Sequence, residues 1–210
     1  MQLKVCGLKY FENIEGVIQL EVDYVGFIFH KESPRFVNGS ISFDEARQIP
    51  KSIKKVGVFV NENTYSILDK VAHYDLDYVQ LHGNESPKQC LELKPFVDII
   101  KAFGINYEFD FKKLNEFEPY VNYFLFDSFS EQNGGSGKIF DWKMLDHYKL
   151  NIPFFLSGGI SLENCEEVKK LKHSQLIGVD INSKLETESG IKDVSKINQF
   201  INKIKNGKQI

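Results

Sequence analysis

A thiol and a carboxyl stand in this chain where proton-transfer chemistry would need them. Cys6 closes the apolar run begun by Leu3 and Val5, and Asp127 closes Tyr123-Phe124-Leu125-Phe126. A thiol at an exposed strand end acts as nucleophile or base once its pKa falls below the free value of ~8.5. A carboxylate that ends an apolar run is costly unless it is paired, solvated or used. Set across one pocket, the two offer titratable groups in distinct surroundings, as a reaction needs when one group removes a proton and another supplies one. Each has a plainer reading as well: a lone cysteine is usually a small buried hydrophobe, and an aspartate in such a place caps a helix or anchors a loop.

Other polar residues end other apolar runs. Arg35, in Ser33-Pro34-Arg35, carries a planar guanidinium suited to gripping both oxygens of a carboxylate, or forms a surface salt bridge. His82 polarises a substrate or bonds to backbone, and Asp180 holds a substrate hydroxyl or anchors a loop. Three segments, Gly134-Gly135-Ser136-Gly137, Ser157-Gly158-Gly159 and Asn182-Ser183, would present backbone N–H groups at helix N-termini, where an anion is favoured. Together they read as a phosphate cradle, although each glycine alone can simply supply φ > 0 in a tight turn. Cys90 and Cys165 fall within amphipathic stretches and fit a buried structural role.

The elements that must position these residues are short β-branched and aromatic runs at 3–6, 24–29, 55–60, 78–81, 98–103, 123–126, 154–156 and 176–181. Between them, Phe11, Ile14 and Ile18, then Tyr65, Leu68 and Ala72, then Val194, Ile197, Ile201 and Ile204 recur at helical spacing with polar residues opposite. Alternating strand and helix implies parallel strands with right-handed crossovers. Eight such units predict a (β/α)8 TIM barrel of the α/β class, in which the polar strand ends all face one mouth. With 210 residues the loops are brief, and one domain spanning 1–210 accounts for the whole chain.

The bulk properties narrow the function class. Hydrophobic residues make up 42% and charged residues 26%, the balance of a globular domain with a real core. A formal net charge of -3, with both signs interspersed, predicts neither a nucleic-acid nor a membrane partner. Three widely spaced cysteines match neither a disulfide framework nor a zinc pattern. No signal-peptide core or membrane-span-length apolar run is present, so a cytoplasmic protein, monomer or homodimer, is expected.

The motifs resemble one family from end to end, the phosphoribosylanthranilate isomerases. The resemblance runs through Lys4-Val5-Cys6-Gly7, Gly26-Phe27-Ile28-Phe29 with Ser33-Pro34-Arg35, Val56-Gly57-Val58-Phe59-Val60-Asn61 and Val79-Gln80-Leu81-His82-Gly83. It continues through Phe126-Asp127-Ser128, Gly134-Gly135-Ser136-Gly137 with Phe140-Asp141-Trp142, Leu156-Ser157-Gly158-Gly159-Ile160, and Val179-Asp180-Ile181-Asn182-Ser183 to Glu186. It implies the Amadori rearrangement of N-(5-phosphoribosyl)anthranilate, a small phosphosugar substrate, in tryptophan biosynthesis without metal or cofactor. It also implies Asp127 as general acid at the ribose ring oxygen, Cys6 as the base for the C2′ proton, and Arg35 as partner of the anthranilate carboxylate. His82 and Asp180 match further polar site positions, and Gly135, Ser136, Gly137, Ser157, Gly158, Gly159, Asn182 and Ser183 match the phosphate cradle.

Three departures stand out: Lys184 occupies a position where the family usually has a small residue, the loop after the second strand reads His30-Lys31-Glu32 before Ser33, and Ser128 stands where threonine is frequent. The rival families fit less well. The histidine-pathway isomerase that runs the analogous reaction would need an aspartate in place of Cys6. Indole-glycerol-phosphate synthase would need lysines at strand ends, for which Lys101 alone is not enough. A binding barrel without catalysis would have no use for both Cys6 and Asp127.

Overall fold

Strands β1 (Gln2–Val5), β2 (Tyr24–Ile28), β3 (Lys54–Phe59), β4 (Tyr78–Leu81), β5 (Asp98–Ile105), β6 (Tyr123–Ser128), β7 (Phe154–Leu156) and β8 (Leu176–Ile181) pair in chain order, all in parallel, and β8 returns to β1. The computed structural model describes residues 1–128 and 140–206. The barrel follows from strands that bury both faces. Leu3, Val5, Val25, Phe27, Leu81 and Phe126 belong to the cluster beneath the surrounding helices, whereas Tyr24, Val56, Ile100, Leu125 and Phe155 form a separate cluster inside. Since successive side chains of a strand point to opposite faces, this alternation sets which residues reach the interior.

Four rings close the N-terminal end of the barrel. Tyr24, Tyr78, Tyr123 and Phe155 contact one another in a circuit, with centroid separations of 5.7, 5.7, 5.6 and 5.2 Å. A layer of four from alternate strands would call on β8, but β8 has Gly178 there. A Cβ on Gly178 would lie 2.9 Å from Phe155 Cε1, so the glycine leaves the space that the β7 ring fills. The core is therefore plugged at one end, and the polar residues collect at the other.

Around the barrel lie α1 (Phe11–Ile18), α2 (Phe43–Gln48), α3 (Thr64–Tyr74), α4 (Pro87–Leu93), α5 (Cys165–Lys170) and α6 (Val194–Asn206). The helix starts are written locally. Ser42 and Glu45 form a capping box on α2, Asn63 caps α3, and Ser86 caps α4 just ahead of Pro87. Among the described residues, the stretches between β5 and β6 and between β6 and β7 hold 3-10 turns, at Phe111–Glu116, Glu118–Tyr120 and Trp142–His147, where the alternation led to an expectation of α-helix. Asp110 and Asp141 each accept from a backbone N–H two residues on, tightening the start of a turn. Pro119, lacking an N–H, cannot continue the first turn as an α-helix.

Strands β5 and β6 also run past their expected ends, so Asp127 and Ser128 lie within β6 rather than after it. A hairpin that the sequence pattern did not suggest, β9 (Glu186–Glu188) with β10 (Ile191–Lys192), follows β8 and carries Glu186 and Lys192 to the barrel mouth. Cys90 and Cys165 are buried on α4 and α5. Among the described residues no helix is long and apolar enough to cross a membrane.

Candidate active site

The C-terminal ends of the strands surround a cavity of about 450 Å³. Its wall includes Cys6, Arg35, His82, Asp127, Ser157, Gly158, Gly159, Asp180, Asn182 and Ser183. The barrel thus gathers ten residues from six strand ends into one mouth. Gly135, Ser136 and Gly137 lie outside the described residues.

Each side chain is aimed by a strand that continues its ladder into the site. Cys6 N donates to Ile181 O at 2.9 Å, His82 N to Phe59 O at 2.9 Å and Ser157 N to Phe126 O at 2.8 Å. Gly7 then turns the chain away at φ +74, and a Cβ there would meet Arg35 Cδ and Asn182 Oδ1 at 2.7 Å. This is a place where only glycine allows both the backbone and the close approach.

Asp127 and His82 form one side of the site. Asp127 Oδ1 accepts from Ser128 N at 2.7 Å, and Oδ2 faces His82 Nε2 at 3.5 Å. Gln80 Nε2 lies 2.8 Å from His82 Nδ1. With the amide as donor, the imidazole carries its hydrogen on Nε2, toward Asp127. The loop bearing His82 is held from behind: buried Lys101 donates to Leu81 O, Gly83 O and Glu85, while Glu85 also accepts from Gly83 N and Asn61 N. The lysine whose strand position suggested a rival chemistry is a structural clamp outside the cavity wall.

Across the cavity, Cys6 is buried beside Asp180 and Lys4. Lys4 Nζ donates to Asp180 Oδ1 at 2.9 Å, and Ser157 Oγ lies 3.4 Å from Oδ2. Lys4 and Asp180 are register partners in the β1–β8 ladder, which is why two residues so far apart in sequence meet. Cys6 is not the exposed thiol of lowered pKa that its strand-end position suggested: burial pushes it above its ordinary value, Lys4 opposes that shift, and Asp180 adds to it. Burial likewise pushes the Asp180 carboxyl up against the pull of Lys4. For Lys4, burial is outweighed by the negative charge of Asp180 and Cys6, and its ammonium is held above the usual lysine value.

The guanidinium of Arg35 is already oriented. Its Nε reaches Glu186 Oε1 at 3.0 Å and its Nη2 reaches Oε2 at 2.7 Å, and Glu186 also pairs with buried Lys192, which donates to Asn182 Oδ1 at 2.6 Å. Burial would raise the Glu186 carboxyl, but Arg35 and Lys192 hold it below the usual range. Glu186 and Lys192 carried no local signal in the sequence as site residues, because their partners lie on other elements.

The loops after β7 and β8 differ from the helix N-termini expected. α5 has six residues and begins at Cys165, and Asn182 is followed by one 3-10 turn, Ser183–Leu185. Little helix dipole is available, so backbone N–H groups are what these loops offer an anion. Gly158 and Gly159 are both left-handed, at φ +88 and +67, and Asn164 pins the turn by donating to Gly159 O at 2.8 Å and accepting from Ser161 N at 2.9 Å. A Cβ on Gly158 would lie 2.6 Å from Ser128 N and 2.7 Å from Asp127 Oδ1. Gly158→Ala is therefore expected to cost ~1–3 kcal/mol of stability through backbone strain and to lower kcat/KM by displacing Asp127. Thermal melting and turnover check this, and an unchanged melting temperature with full turnover would rule the steric account out.

The family model for N-(5'phosphoribosyl)anthranilate (PRA) isomerase matches residues 3–203. The chain is 47% identical over 206 residues to the N-(5'-phosphoribosyl)anthranilate isomerase of Parabacteroides distasonis, covering 97% of this chain and 93% of that protein. Its fold is similar to the crystal structure of the phosphoribosyl anthranilate isomerase of Thermotoga maritima, with TM-score 0.84, 32% identity and coverage of 98% and 99%. It is also similar to a phosphoribosyl anthranilate isomerase in complex with reduced 1-(o-carboxyphenylamino)-1-deoxyribulose 5-phosphate, with TM-score 0.80, 30% identity and the same coverage.

Proposed function

The chain belongs to the N-(5'-phosphoribosyl)anthranilate isomerase family, and on that premise we propose that residues 1–210 act as one cofactor-free catalytic domain of tryptophan biosynthesis. It converts N-(5-phosphoribosyl)anthranilate to 1-(o-carboxyphenylamino)-1-deoxyribulose 5-phosphate, with Cys6 as general base and Asp127 as general acid. The reading is supported above all by the opposition of a thiol and a carboxyl across one cavity whose rim carries a cation and glycine-bearing turns.

Asp127 gives a proton to the ribose ring oxygen as the nitrogen lone pair expels it, opening the ring to a protonated Schiff base. The Cys6 thiolate then takes the C2′ proton, and the electrons of that C–H bond form the C1′=C2′ double bond while neutralising the nitrogen. Proton gain at C1′ and loss of the C2′ hydroxyl proton give the ketone, so the sequence is an isomerisation with no electron carrier. Asp180 is placed to accept from a ribose hydroxyl, and His82 holds a polar position beside the acid. The phosphate sits against Ser157, Gly158, Gly159, Asn182 and Ser183, with Gly135, Ser136 and Gly137 as its further partners.

Arg35 binds the anthranilate carboxylate. Glu186 occupies the Nε side of the guanidinium, and the Nη1–Nη2 edge is the one that meets the substrate in a paired, charge-assisted contact. Such hydrogen bonds are worth ~1.5–3 kcal/mol, so Arg35→Ala is expected to lower kcat/KM by ~10-fold or more, mainly through KM. An unchanged kcat/KM would remove this assignment. The activity itself is tested by adding the protein, with EDTA present, to phosphoribosylanthranilate generated in situ and following its fluorescence. Rapid loss supports the isomerase, and loss no faster than spontaneous breakdown refutes it.

A further inference from the structure

Lys4 is a buried cation next to the base that the reaction does not touch. Cys6 and Asp180 line the cavity, and Lys4, fully buried, does not. It lies in β1 two residues before Cys6, whose N–H to Ile181 O carries the pairing one residue past the strand, and its Nζ is 2.9 Å from Asp180 Oδ1. The space that ammonium and thiol share is kept by Gly26 of β2. A Cβ on Gly26 would lie 2.9 Å from Cys6 Sγ and 3.3 Å from Lys4 Nζ, so both groups rest over the same bare stretch of backbone. Burying an ammonium is unfavourable unless its partners offset the lost hydration. An apolar side chain would fill the barrel at less cost, and so the charge itself calls for an explanation.

We propose that Lys4 is a positioning residue for the base: its fixed ammonium meets the negative charge that forms on Cys6 Sγ when the proton leaves, and holds Asp180 in place beside it. This rests on Cys6 being the base. A cation set in place before the reaction needs no reorganisation as the charge develops, and it acts strongly where water is excluded. The charged groups facing Cys6 are Lys4 from β1, Asp180 from β8 and Lys192 from β10. Asp180 in turn faces Asp127 and His82 as well as Lys4. Burial and Asp180 both disfavour the thiolate, while Lys4, whose effect is the larger, and Lys192 favour it. Lys4 is therefore the cation whose loss the thiolate would feel most.

The test compares Lys4→Met and Lys4→Arg with the unaltered protein. Thiolate absorbance in the ultraviolet is titrated against pH, each protein minus its Cys6→Ala counterpart, so that Cys90 and Cys165 cancel. Lys4→Met is expected to move the Cys6 midpoint up by about one pH unit or more, leaving about tenfold less thiolate below it. The acidic limb of kcat/KM moves with it, and Lys4→Arg restores most of both. An unmoved titration in folded Lys4→Met overturns the proposal and leaves Cys6 as base untouched. A moved titration with an unmoved kcat/KM limb overturns the assignment of Cys6, and the proposal with it. If Lys4→Met does not fold, Lys4→Gln, which removes the charge but keeps a hydrogen-bond donor for Asp180, is read instead: a midpoint raised as expected for Lys4→Met supports the proposal, and a midpoint left in place or lowered overturns it.

Discussion

Cys6→Ala is expected to lower kcat by ~10²–10⁴-fold, the range in which a positioned general base contributes, while KM and the melting temperature change little. Cys6 is buried against the cavity wall rather than in the cluster beneath the helices, so losing one sulfur removes little packing. The two buried carboxylates of the cavity wall are otherwise engaged, Asp180 held by Lys4 and Asp127 lying across the site beside His82. The pH dependence follows from the surroundings. Because burial pushes the thiol above its ordinary value, the thiolate fraction, and with it kcat/KM of the unaltered enzyme, rises with pH through the neutral range. Steady-state kinetics on both proteins checks the two statements together, and near wild-type turnover in Cys6→Ala would take the thiol out of the mechanism.

Asp127→Asn is expected to cost ~10²-fold or more in kcat. The substitution preserves shape and keeps an oxygen to accept from Ser128 N, now 2.7 Å from Oδ1, so the strand end and its loop stay as they are. What it removes is the proton that the ribose ring oxygen needs as the C1′–O bond breaks. An amide cannot supply that proton, and His82, 3.5 Å from Oδ2, would have to deliver it from a different position. A folded Asp127→Asn protein with full kcat would show that ring opening needs no acid from this side of the cavity.

The barrel was legible because periodicity is a local property. Leu3 and Val5 alternating with Lys4 and Cys6 already place the last two on one face of the expected strand. What local pattern could not carry was the identity of partners across the barrel. Glu186 is 151 residues from Arg35, and it joins Arg35 only because the hairpin after β8 folds back over the mouth. Gln80 reads as one polar residue in an apolar strand until β4 brings it against His82. The connectors flanking β6 were expected to be helical, and their described residues form 3-10 turns, because Pro119 and the aspartates at the starts of the turns favour tight turns over α-helix. The glycines at 158 and 159 were legible as a turn, but the requirement that position 158 have no Cβ comes from Asp127 and Ser128 on the neighbouring strand.

In the proposed reaction a hydrogen leaves C2′ and the sugar becomes a ketose with its nitrogen and phosphate intact. Carbon-13 NMR of phosphoribosylanthranilate labelled at C1′ and C2′, followed with the enzyme present, tests this most directly. The C1′ methine attached to nitrogen is expected to become a methylene while the C2′ alcohol carbon becomes a ketone, with the phosphate ester retained. Signals that decay only to free ribose 5-phosphate and anthranilate, at the rate seen without enzyme, would contradict it.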